Sequence, residues 1–344
     1  MHAQVLNTAW EQSTIETRRR ERRGGTKRCD TPPMGTTLHK NPFVVRADGV
    51  GGLPIGQFVG EQWSSPLRTV QAGVRVKGLT RAFLASTLSD QPMHDWQDVE
   101  YAQFSLLGKR LAFTVDLSDV PCASNAVVSL VAMPRRPPTP ASSGYCNIEG
   151  FDMHGTLDPC IEIDLLEGNA KGVQATLHTV QGKESNGACN QLGCRGNWGG
   201  TAASAGNYGS TSHGLGARPL IDSSRPFTVE AAFPFRANGA GLNVRLTQAS
   251  EDDSAGEVAG TLLDSEVAAN VAEGARAAPI PDPDALRLQE ALNGGLALVL
   301  SLRSAPNSSW LDGGCTLAYP SYDGMCSSWH PTLRSPLHTR DNVL

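Results

Sequence analysis

The stretch CIEIDLLEGNAKGVQATLHT, residues 160–179, has the apolar pattern of buried β-structure. Its first half nevertheless contains three carboxylates, Glu162, Asp164 and Glu167. Burying a carboxylate is costly unless the group is paired or hydrogen-bonded. The composition of this strand therefore needs a structural or a functional reason.

Strand geometry suggests where the three carboxylates point. Side chains on a strand alternate between its two faces, so Glu162 and Asp164 share one face. In a regular strand Glu167, five residues after Glu162, would point to the opposite face. A β-bulge near Leu165–Leu166 adds one residue and restores the alternation. We therefore expect a bulge there, with the carboxylates on one concave face and the two leucines and Ile163 against the core.

A pair of glutamates on one face is typical of the catalytic residues of a retaining glycosidase. Such enzymes place two carboxyl groups about 5–5.5 Å apart across the sugar bond, one as nucleophile and one as acid and base. Asp164 between them could hydrogen-bond the nucleophile and keep the two pKa values apart. Two other interpretations stay open: a half-exposed strand whose acidic residues face water, and a Ca²⁺ site.

Short apolar runs along the rest of the chain predict a protein made mostly of strands. With 36 Gly and 22 Pro in 344 residues, the composition is typical of a loop-rich β protein. The segment 283–295 predicts the one helix, because Pro and Asp stand at its start and Gly at its end. This combination indicates an all-β fold, a jelly-roll sandwich. The strands are expected at 43–47, 104–118, 126–134, 160–167, 172–180, 226–235, 242–248 and 296–303.

Charge divides the chain into a basic tail and an acidic body. Residues 1–28 hold seven Lys or Arg against three Glu, which leaves 22 basic and 31 acidic residues for the rest. We expect residues 1–40 to be a disordered tail, 41–335 to be the folded domain and 336–344 to be a second tail. The acidic body argues against a nucleic-acid partner. Every apolar run is shorter than the roughly 20 residues of a membrane-spanning helix, so no membrane partner is expected.

The chain has an even number of cysteines, eight, whose scatter suits disulfides in an oxidising compartment. Only Cys189 and Cys194 stand close together, and no second pair completes a zinc site, so no metal is expected. Secretion is the favoured localisation, although residues 1–40 lack the apolar core of a signal peptide. A truncated N-terminus would explain this, and a cytosolic protein is the alternative.

The motif EIDLLEGN, residues 162–169, resembles the catalytic strand of glycoside hydrolase family 7, the fungal and protist cellulases, whose signature is similar to E-M-D-I-W-E-A-N. His178 in TLHT stands at the spacing at which that family has a histidine. Family 16 laminarinases of the same clan share E-[IV]-D-x-x-E-G and T-L-H-T, with a different spacing to the histidine. Further segments resemble family 7 in order over roughly residues 75–330: YAQFSLLGKRLAFTVDLSDVPCASNAVVSLVAM (101–133), GYCN (144–147), GACNQLGC (187–194), IDSSRPFTVEAAF (221–233) and LNGGLALVLSLRSAPNSSWLD (292–312).

The resemblance implies roles for individual residues. It makes Glu162 the nucleophile, Asp164 its assistant and Glu167 the acid and base. It places His178 beside the leaving group and makes Trp310 a platform for a sugar ring. The remaining residues assigned to substrate binding are Tyr145 and Asn147, the latter standing where the family has an aspartate.

The resemblance also implies disulfides Cys146–Cys160 and Cys122–Cys326. Cys189 could pair locally with Cys194, because the partners that these two have in the cellulases look absent. The pairing of Cys29 and Cys315 stays open.

Departures from the family shape the functional expectation. Arg303 stands where the family often has a second platform tryptophan, and a long substrate-lining loop is missing before Glu162. Shorter loops imply an open cleft and cleavage within the polysaccharide chain. We expect a monomeric, retaining, endo-acting β-glucan hydrolase that favours β-1,4 links and needs no cofactor. The alternatives are a β-1,3-glucanase, a transglycosylase, and a non-catalytic glycan-binding wall protein.

Overall fold

The computed structural model describes residues 39–40, 57–62, 68–70, 73–77, 80–86, 96–121, 124–140, 142–147, 160–170, 172–179, 189–190, 193–196, 221–249, 257–264, 268–270, 280–304, 311 and 328–332. The strand predicted at 43–47 lies outside these residues. The tail predicted at 336–344 also lies outside these residues, and so does the tail predicted at 1–40 except for residues 39–40. The boundaries 41–335 of the folded domain therefore stay a prediction.

Two antiparallel sheets dominate the described part of the chain. The larger has ten strands, in which every neighbouring pair is antiparallel. From edge to edge its order is β1 (His39–Lys40), β2 (Gln57–Gln62), β5 (Thr80–Ala85), β18 (Leu296–Ser304), β8 (Ser124–Val131), β9 (Glu162–Asn169), β10 (Gly172–His178), β11 (Cys194–Gly196) and β17 (Ala268–Asn270), with β6 (Gln103–Phe104) beside β18.

The smaller sheet has seven strands within the described ranges. Its order is β16 (Glu257–Asp264), β15 (Asn243–Ala249), β12 (Phe227–Ala232), β7 (Arg110–Asp116), β19 (Ser328–Thr332), β4 (Gly73–Lys77) and β3 (Arg68–Val70). A separate short hairpin joins β13 (Phe235–Arg236) to β14 (Gly239–Ala240). The described helices are the 3₁₀ turn Trp96–Asp98 and α1 (Asp282–Gly294).

The main core lies between the two sheets and follows from side-chain alternation along the strands. Phe113 and Val229 of the smaller sheet are fully buried, and they belong to one apolar cluster with Val128, Leu166 and Leu300 of the larger sheet. Two sheets that bury one face each against the other make a β-sandwich. The predicted jelly-roll sandwich is therefore confirmed.

A second apolar cluster lies on the opposite face of the larger sheet. Phe83 and Val299 belong to it, whereas their chain neighbours Leu84 and Leu300 belong to the main core. The larger sheet is thus covered by apolar side chains on both faces, at least along β5 and β18. This burial explains why β18 has a near-continuous apolar sequence, LALVLSLRS.

The predicted bulge in β9 is present. Leu166 pairs with Val128 of β8 and Asp164 pairs with the next residue, Ser129, so Leu165 has no partner on that side. The register shifts at the same place against β10, where Glu167 pairs with Gln174. Leu165 and Leu166 are both fully buried in the main core, as expected.

Most predicted elements that fall on described residues are confirmed. The strands expected at 104–118 and 296–303 correspond to β7 and β18, and the helix expected at 283–295 corresponds to α1. The helix follows Pro281 and ends before Gly295, whose φ is 100°. The prediction missed β5 and β16, among other strands. No described helix is long and apolar enough to cross a membrane.

The helix α1 is attached to the larger sheet by a buried polar contact. The hydroxyl of Thr179, which directly follows β10, donates a hydrogen bond to the carboxylate of Asp284, and Asp284 is fully buried. Arg287 contacts the same carboxylate oxygen at 3.3 Å. This contact ties the helix to the strand next to β9.

We expect Leu165→Ala to destabilise the fold, because the bulge directs this side chain into a close-packed core. Large-to-small substitutions of this kind cost about 2–5 kcal/mol of unfolding free energy. Chemical denaturation measures the loss. The control is Leu286→Ala on α1, whose side chain is 49% exposed and whose truncation should change stability by about 0.5 kcal/mol or less. Equal losses in the two variants would contradict the burial argument.

Candidate active site

The three carboxylates of β9 lie on the face of the larger sheet that points away from the smaller sheet, here called the site face. Neighbouring strands contribute Asn125 and Ser129 of β8, Gln174, Thr176 and His178 of β10, and Arg303 of β18 to this face. Glu162, Asp164 and Glu167 are all buried, with exposed fractions of 8%, 4% and 4%. Each is held by a different set of hydrogen-bond partners, which offset the cost of burial.

Glu162 accepts a hydrogen bond from the hydroxyl of Tyr145 at 2.9 Å. Tyr145 precedes Cys146, whose disulfide with Cys160 joins this segment to the residues just before β9. The guanidinium of Arg81 on β5 lies over the Tyr145 ring, 3.6 Å from its centroid. The disulfide and the stacked guanidinium therefore position the phenol that contacts Glu162.

Asp164 lies between a hydroxyl and an imidazole. Ser129 donates a hydrogen bond to one carboxylate oxygen at 2.6 Å, and Nε2 of His178 lies 3.4 Å from the other. Nδ1 of His178 is 3.0 Å from the carbonyl oxygen of Asn190. A protonated imidazole can donate from both nitrogens, which matches these two acceptors.

Glu167 has the densest set of donors. Asn125 and Arg303 donate to Oε1 at 3.0 and 3.2 Å. Gln174 and Thr176 donate to Oε2 at 2.8 and 3.1 Å. Two donors on each oxygen stabilise the ionised carboxylate.

Burial and neighbouring charges decide where protons reside. Burial, reinforced by the carboxylate of Asp164, raises the pKa of Glu162 to about 8. Burial alone would lower the pKa of His178, but its hydrogen bond to Asp164 and the nearby carboxylates raise it to about 9. Burial and the neighbouring Glu162 raise the pKa of Tyr145 well above its usual range. At neutral pH, Glu162 is therefore neutral and His178 is cationic in the free protein.

A tight turn after β10 fixes the position of His178. The disulfide Cys189–Cys194 closes this turn, which also contains Gly193 with a φ of 77°. A Cβ atom at Gly193 would lie 2.7 Å from Cε1 of His178. Only glycine combines this backbone conformation with so close an approach to the ring.

The predicted site residues divide into two groups. The structure brings Glu162, Asp164, Glu167, His178 and Tyr145 together, and places Asn147 in a buried position next in the chain to Cys146. The predicted disulfides Cys146–Cys160 and Cys189–Cys194 are also present among the described residues, whereas Trp310, Cys122 and Cys326 lie outside them.

Sequence reasoning missed the partners of the carboxylates. Gln174 and Thr176 precede His178 at spacings of two, so strand alternation alone would have placed them on the site face. Asn125 and Ser129 had no comparable signal, because nothing in the sequence shows which strand lies beside β9.

The Ca²⁺ interpretation finds no support in the described ranges. They contain no group of three or more His, Cys, Asp or Glu side chains placed to hold a metal ion. Instead, the carboxylate oxygens are directed at hydroxyl, amide and guanidinium donors. Two carboxyl groups on one face that differ in their hydrogen-bond partners can carry out proton transfer and attack on an electrophilic carbon.

The chain is similar in sequence to several known proteins. The chain is 26% identical over 242 residues to endoglucanase EG-1 of Hypocrea jecorina, covering 63% of this chain and 48% of that protein. It is also 26% identical over 295 residues to the probable endo-beta-1,4-glucanase celB of Aspergillus terreus, covering 71% of this chain and 63% of that protein. The predicted resemblance to cellulases is confirmed by these relatives, although the chain spans about half the length of the first. No protein-family model matches the chain.

A solved structure shares the architecture. The endocellulase EGI of Humicola insolens superimposes with a TM-score of 0.52 at 18% sequence identity, covering 78% of this chain and 77% of that protein. The two proteins share one fold. At this level of identity, the likeness shows the fold alone.

The raised pKa values predict a pH-dependent stability. A group with a raised pKa in the folded state keeps its proton after the unfolded chain has lost it, so the folded state loses relative stability as pH rises. The stabilising contribution of Glu162 is lost as the pH rises from about 4.5 to 8, and that of His178 is lost as the pH rises from about 6.5 to 9. We expect the melting temperature to fall over this whole range.

The variant Glu162→Gln isolates the first contribution. Its amide does not titrate, so its melting temperature should fall less steeply between about pH 4.5 and 8 than that of the wild type. Thermal melts at closely spaced pH values measure the two slopes. Glu230→Gln, at an exposed ion pair with Arg110, is the control and should keep the wild-type slope. Parallel curves for Glu162→Gln and wild type would contradict the assignment.

Proposed function

We propose that the protein is a retaining, endo-acting β-glucan hydrolase that cleaves β-1,4-glucosidic bonds. The observation that supports this most directly is the bulge in β9, which places Glu162 and Glu167 on one face with different hydrogen-bond environments. The names of the sequence relatives, endoglucanase and endo-beta-1,4-glucanase, support the substrate class. The two described disulfides support a site of action in an oxidising, extracellular environment.

The proposed reaction uses two carboxyl groups and one water. Glu162 attacks the anomeric carbon while the bond from that carbon to the leaving oxygen breaks, and Glu167 gives the leaving oxygen its proton. Glu167, now ionised, takes a proton from water, and the oxygen of that water displaces Glu162 from the sugar. The carbon is inverted twice, so the product keeps the β configuration.

The burial of Glu162 suits the role of nucleophile. Its ionised form is disfavoured by burial and by the adjacent Asp164, which is why its pKa is raised to about 8. Positive charge that develops on the sugar ring in the transition state offsets both effects. The attack requires ionised Glu162, so we expect the substrate complex to hold the proton on Glu167 instead.

The surroundings of Glu167 suit a group that gains and loses a proton. Asn125 and Gln174 donate to its carboxylate through their amide nitrogens. Their amide oxygens, Oδ1 and Oε1, are buried and accept no hydrogen bond from the described residues. Rotating either amide by half a turn would present an acceptor to protonated Glu167. The same two side chains could therefore stabilise both forms of the acid and base.

We expect Glu162→Gln and Glu167→Gln each to lower kcat by about 10²–10⁴-fold or more, because an amide can act neither as nucleophile nor as acid. Asp164→Asn should cost less, because Asp164 lies between the two glutamates along β9 and does not itself react. Reducing-sugar release from barley β-glucan measures the loss, and a melt verifies that each variant is folded. Glu230→Gln is the matched surface control. Full activity in either glutamine variant at the site would remove the assignment.

The roles of the two glutamates can be separated chemically. With Glu167→Ala, azide should partly restore turnover of an aryl β-glycoside with a good leaving group, since such a substrate needs no acid. Azide should not restore Glu162→Ala to a retaining reaction. If azide instead restored a retaining reaction in Glu162→Ala and not in Glu167→Ala, the roles of nucleophile and of acid and base would have to be exchanged.

We expect the first product to be the β-anomer, released from soluble β-1,4-linked or mixed-link glucan and hardly from crystalline cellulose. Proton NMR of the earliest product determines the anomeric configuration. Initial release of the α-anomer would exclude the retaining mechanism. Cleavage of laminarin alone would make the protein a β-1,3-glucanase.

A further inference from the structure

Three cationic side chains surround the carboxylates on the site face. Arg81 on β5 pairs in register with Ser301 on β18, and Arg303 stands two residues further along β18 on the same face. Arg303 contacts Glu167, His178 contacts Asp164, and Arg81 stacks on the tyrosine that contacts Glu162. This concentration of positive charge stands out in a chain whose formal net charge is -5.

Among the described groups that contact the carboxylates, Arg303 is the most accessible. Its side chain is 53% exposed, whereas that of Glu167 is 6% exposed. One nitrogen lies 3.2 Å from Oε1 of Glu167. A guanidinium has five N–H donors in a rigid planar fork, so a single contact leaves a large part of the group able to bind a ligand.

Glu167 does not depend on Arg303 for its hydrogen bonds. Asn125, Gln174 and Thr176 already supply three neutral donors from buried positions. The hydroxyl groups of a neutral glucan are satisfied equally well by uncharged donors and acceptors. A half-exposed guanidinium beside the reacting group is better explained by a substrate that has a negative charge there.

The charge balance of the site supports the same conclusion. Because the pKa of Glu162 is raised to about 8 and that of His178 to about 9, Glu162 is neutral and His178 cationic at neutral pH. One of the three carboxyl groups is then uncharged, so the described cationic side chains Arg81, His178 and Arg303 outnumber the described carboxyl groups that can be ionised. Within the described residues, positive charge is therefore in excess at the site although the protein is acidic.

We propose that Arg303 makes the site selective for β-glycans with an anionic substituent, a carboxylate or a sulfate, on a sugar beside the cleaved bond. The guanidinium binds the anion through a bidentate or charge-assisted hydrogen bond. An anion bound there also offsets the positive charge next to Glu167 and thereby favours the protonated form that donates to the leaving oxygen. This inference rests on the proposed glycoside hydrolysis and specifies its substrate.

The test compares two cellulose ethers of equal chain length and equal degree of substitution. Carboxymethyl-cellulose is anionic and hydroxyethyl-cellulose is neutral, and cellulose sulfate provides the second anion. We expect the wild type to cut an anionic polymer with a kcat/KM about tenfold or more above that for the neutral one, as one charge-assisted hydrogen bond allows. Preference for the carboxylate polymer or for the sulfate polymer identifies which anion is recognised.

Substitutions at position 303 connect this preference to the guanidinium. Arg303→Gln should reduce the ratio to near one, and Arg303→Lys should keep part of it, because it retains the charge without the planar fork. Arg110→Gln, at an exposed arginine paired with Glu230 in the smaller sheet, is the control and should keep the full ratio. Raising the salt concentration from about 0.01 M to about 1 M should shrink the wild-type ratio through screening.

A binding measurement separates failure of this inference from failure of the proposed function. Affinity electrophoresis in gels that contain each polymer gives the same ratio without turnover. If an anionic polymer retains the wild type more strongly and Arg303→Gln loses this retention, the result supports the inference, whether or not the polymer is cut. If none of the polymers is cut, the proposed hydrolysis is overturned. Equal cutting or retention by both ethers, or a ratio that survives Arg303→Gln, would overturn the inference while leaving the hydrolysis standing.

Discussion

The single unpaired residue in β9 is the constraint on which the site depends. Strand side chains alternate strictly, so Glu162 and Glu167 can share a face only if one residue between them drops out of the pairing. Leu165 does so, and the register shifts against both neighbouring strands at this point. The same shift sends two leucines into the core between the sheets. One bulge thus places leucines in the core on one face of the strand and the carboxylates of the site on the other face.

Burying three carboxylates side by side requires hydrogen-bond or ionic partners that offset the free-energy cost of burying each of them. The structure compensates them unequally: Glu167 receives two donors on each oxygen, Asp164 has a hydroxyl and a cationic imidazole, and Glu162 has one phenol. The pKa of Glu162 is raised as a result. Unequal compensation separates the protonation states of otherwise identical groups, which is the condition that acid and base catalysis needs.

The sequence was sufficient for the bulge and the acidic cluster, because both follow from alternation within a single segment, and for the fold class, because many short apolar runs and a high Gly and Pro content indicate an all-β protein. The strand β9 and its inward leucines were predicted in this way, whereas the helix α1 was predicted from the Pro and Asp at its start and the Gly at its end. The contacts of Glu167 could not be predicted, because Asn125 and Arg303 are 42 and 136 residues away along the chain. Only the strand order brings them together. Local pattern determines which face a residue occupies, whereas tertiary topology determines its neighbours.

The position of β18 has a consequence for how the chain is made. This strand lies between β5 and β8, although its residues, 296–304, follow those of both neighbours along the chain. Until the ribosome has synthesised it, β5 and β8 each present an unpaired edge to a gap one strand wide. Open edges of this kind are where partly folded chains aggregate, and such long-range pairing is slow to form. The carboxylates of the site therefore acquire the guanidinium of Arg303 in the same step that closes the sheet.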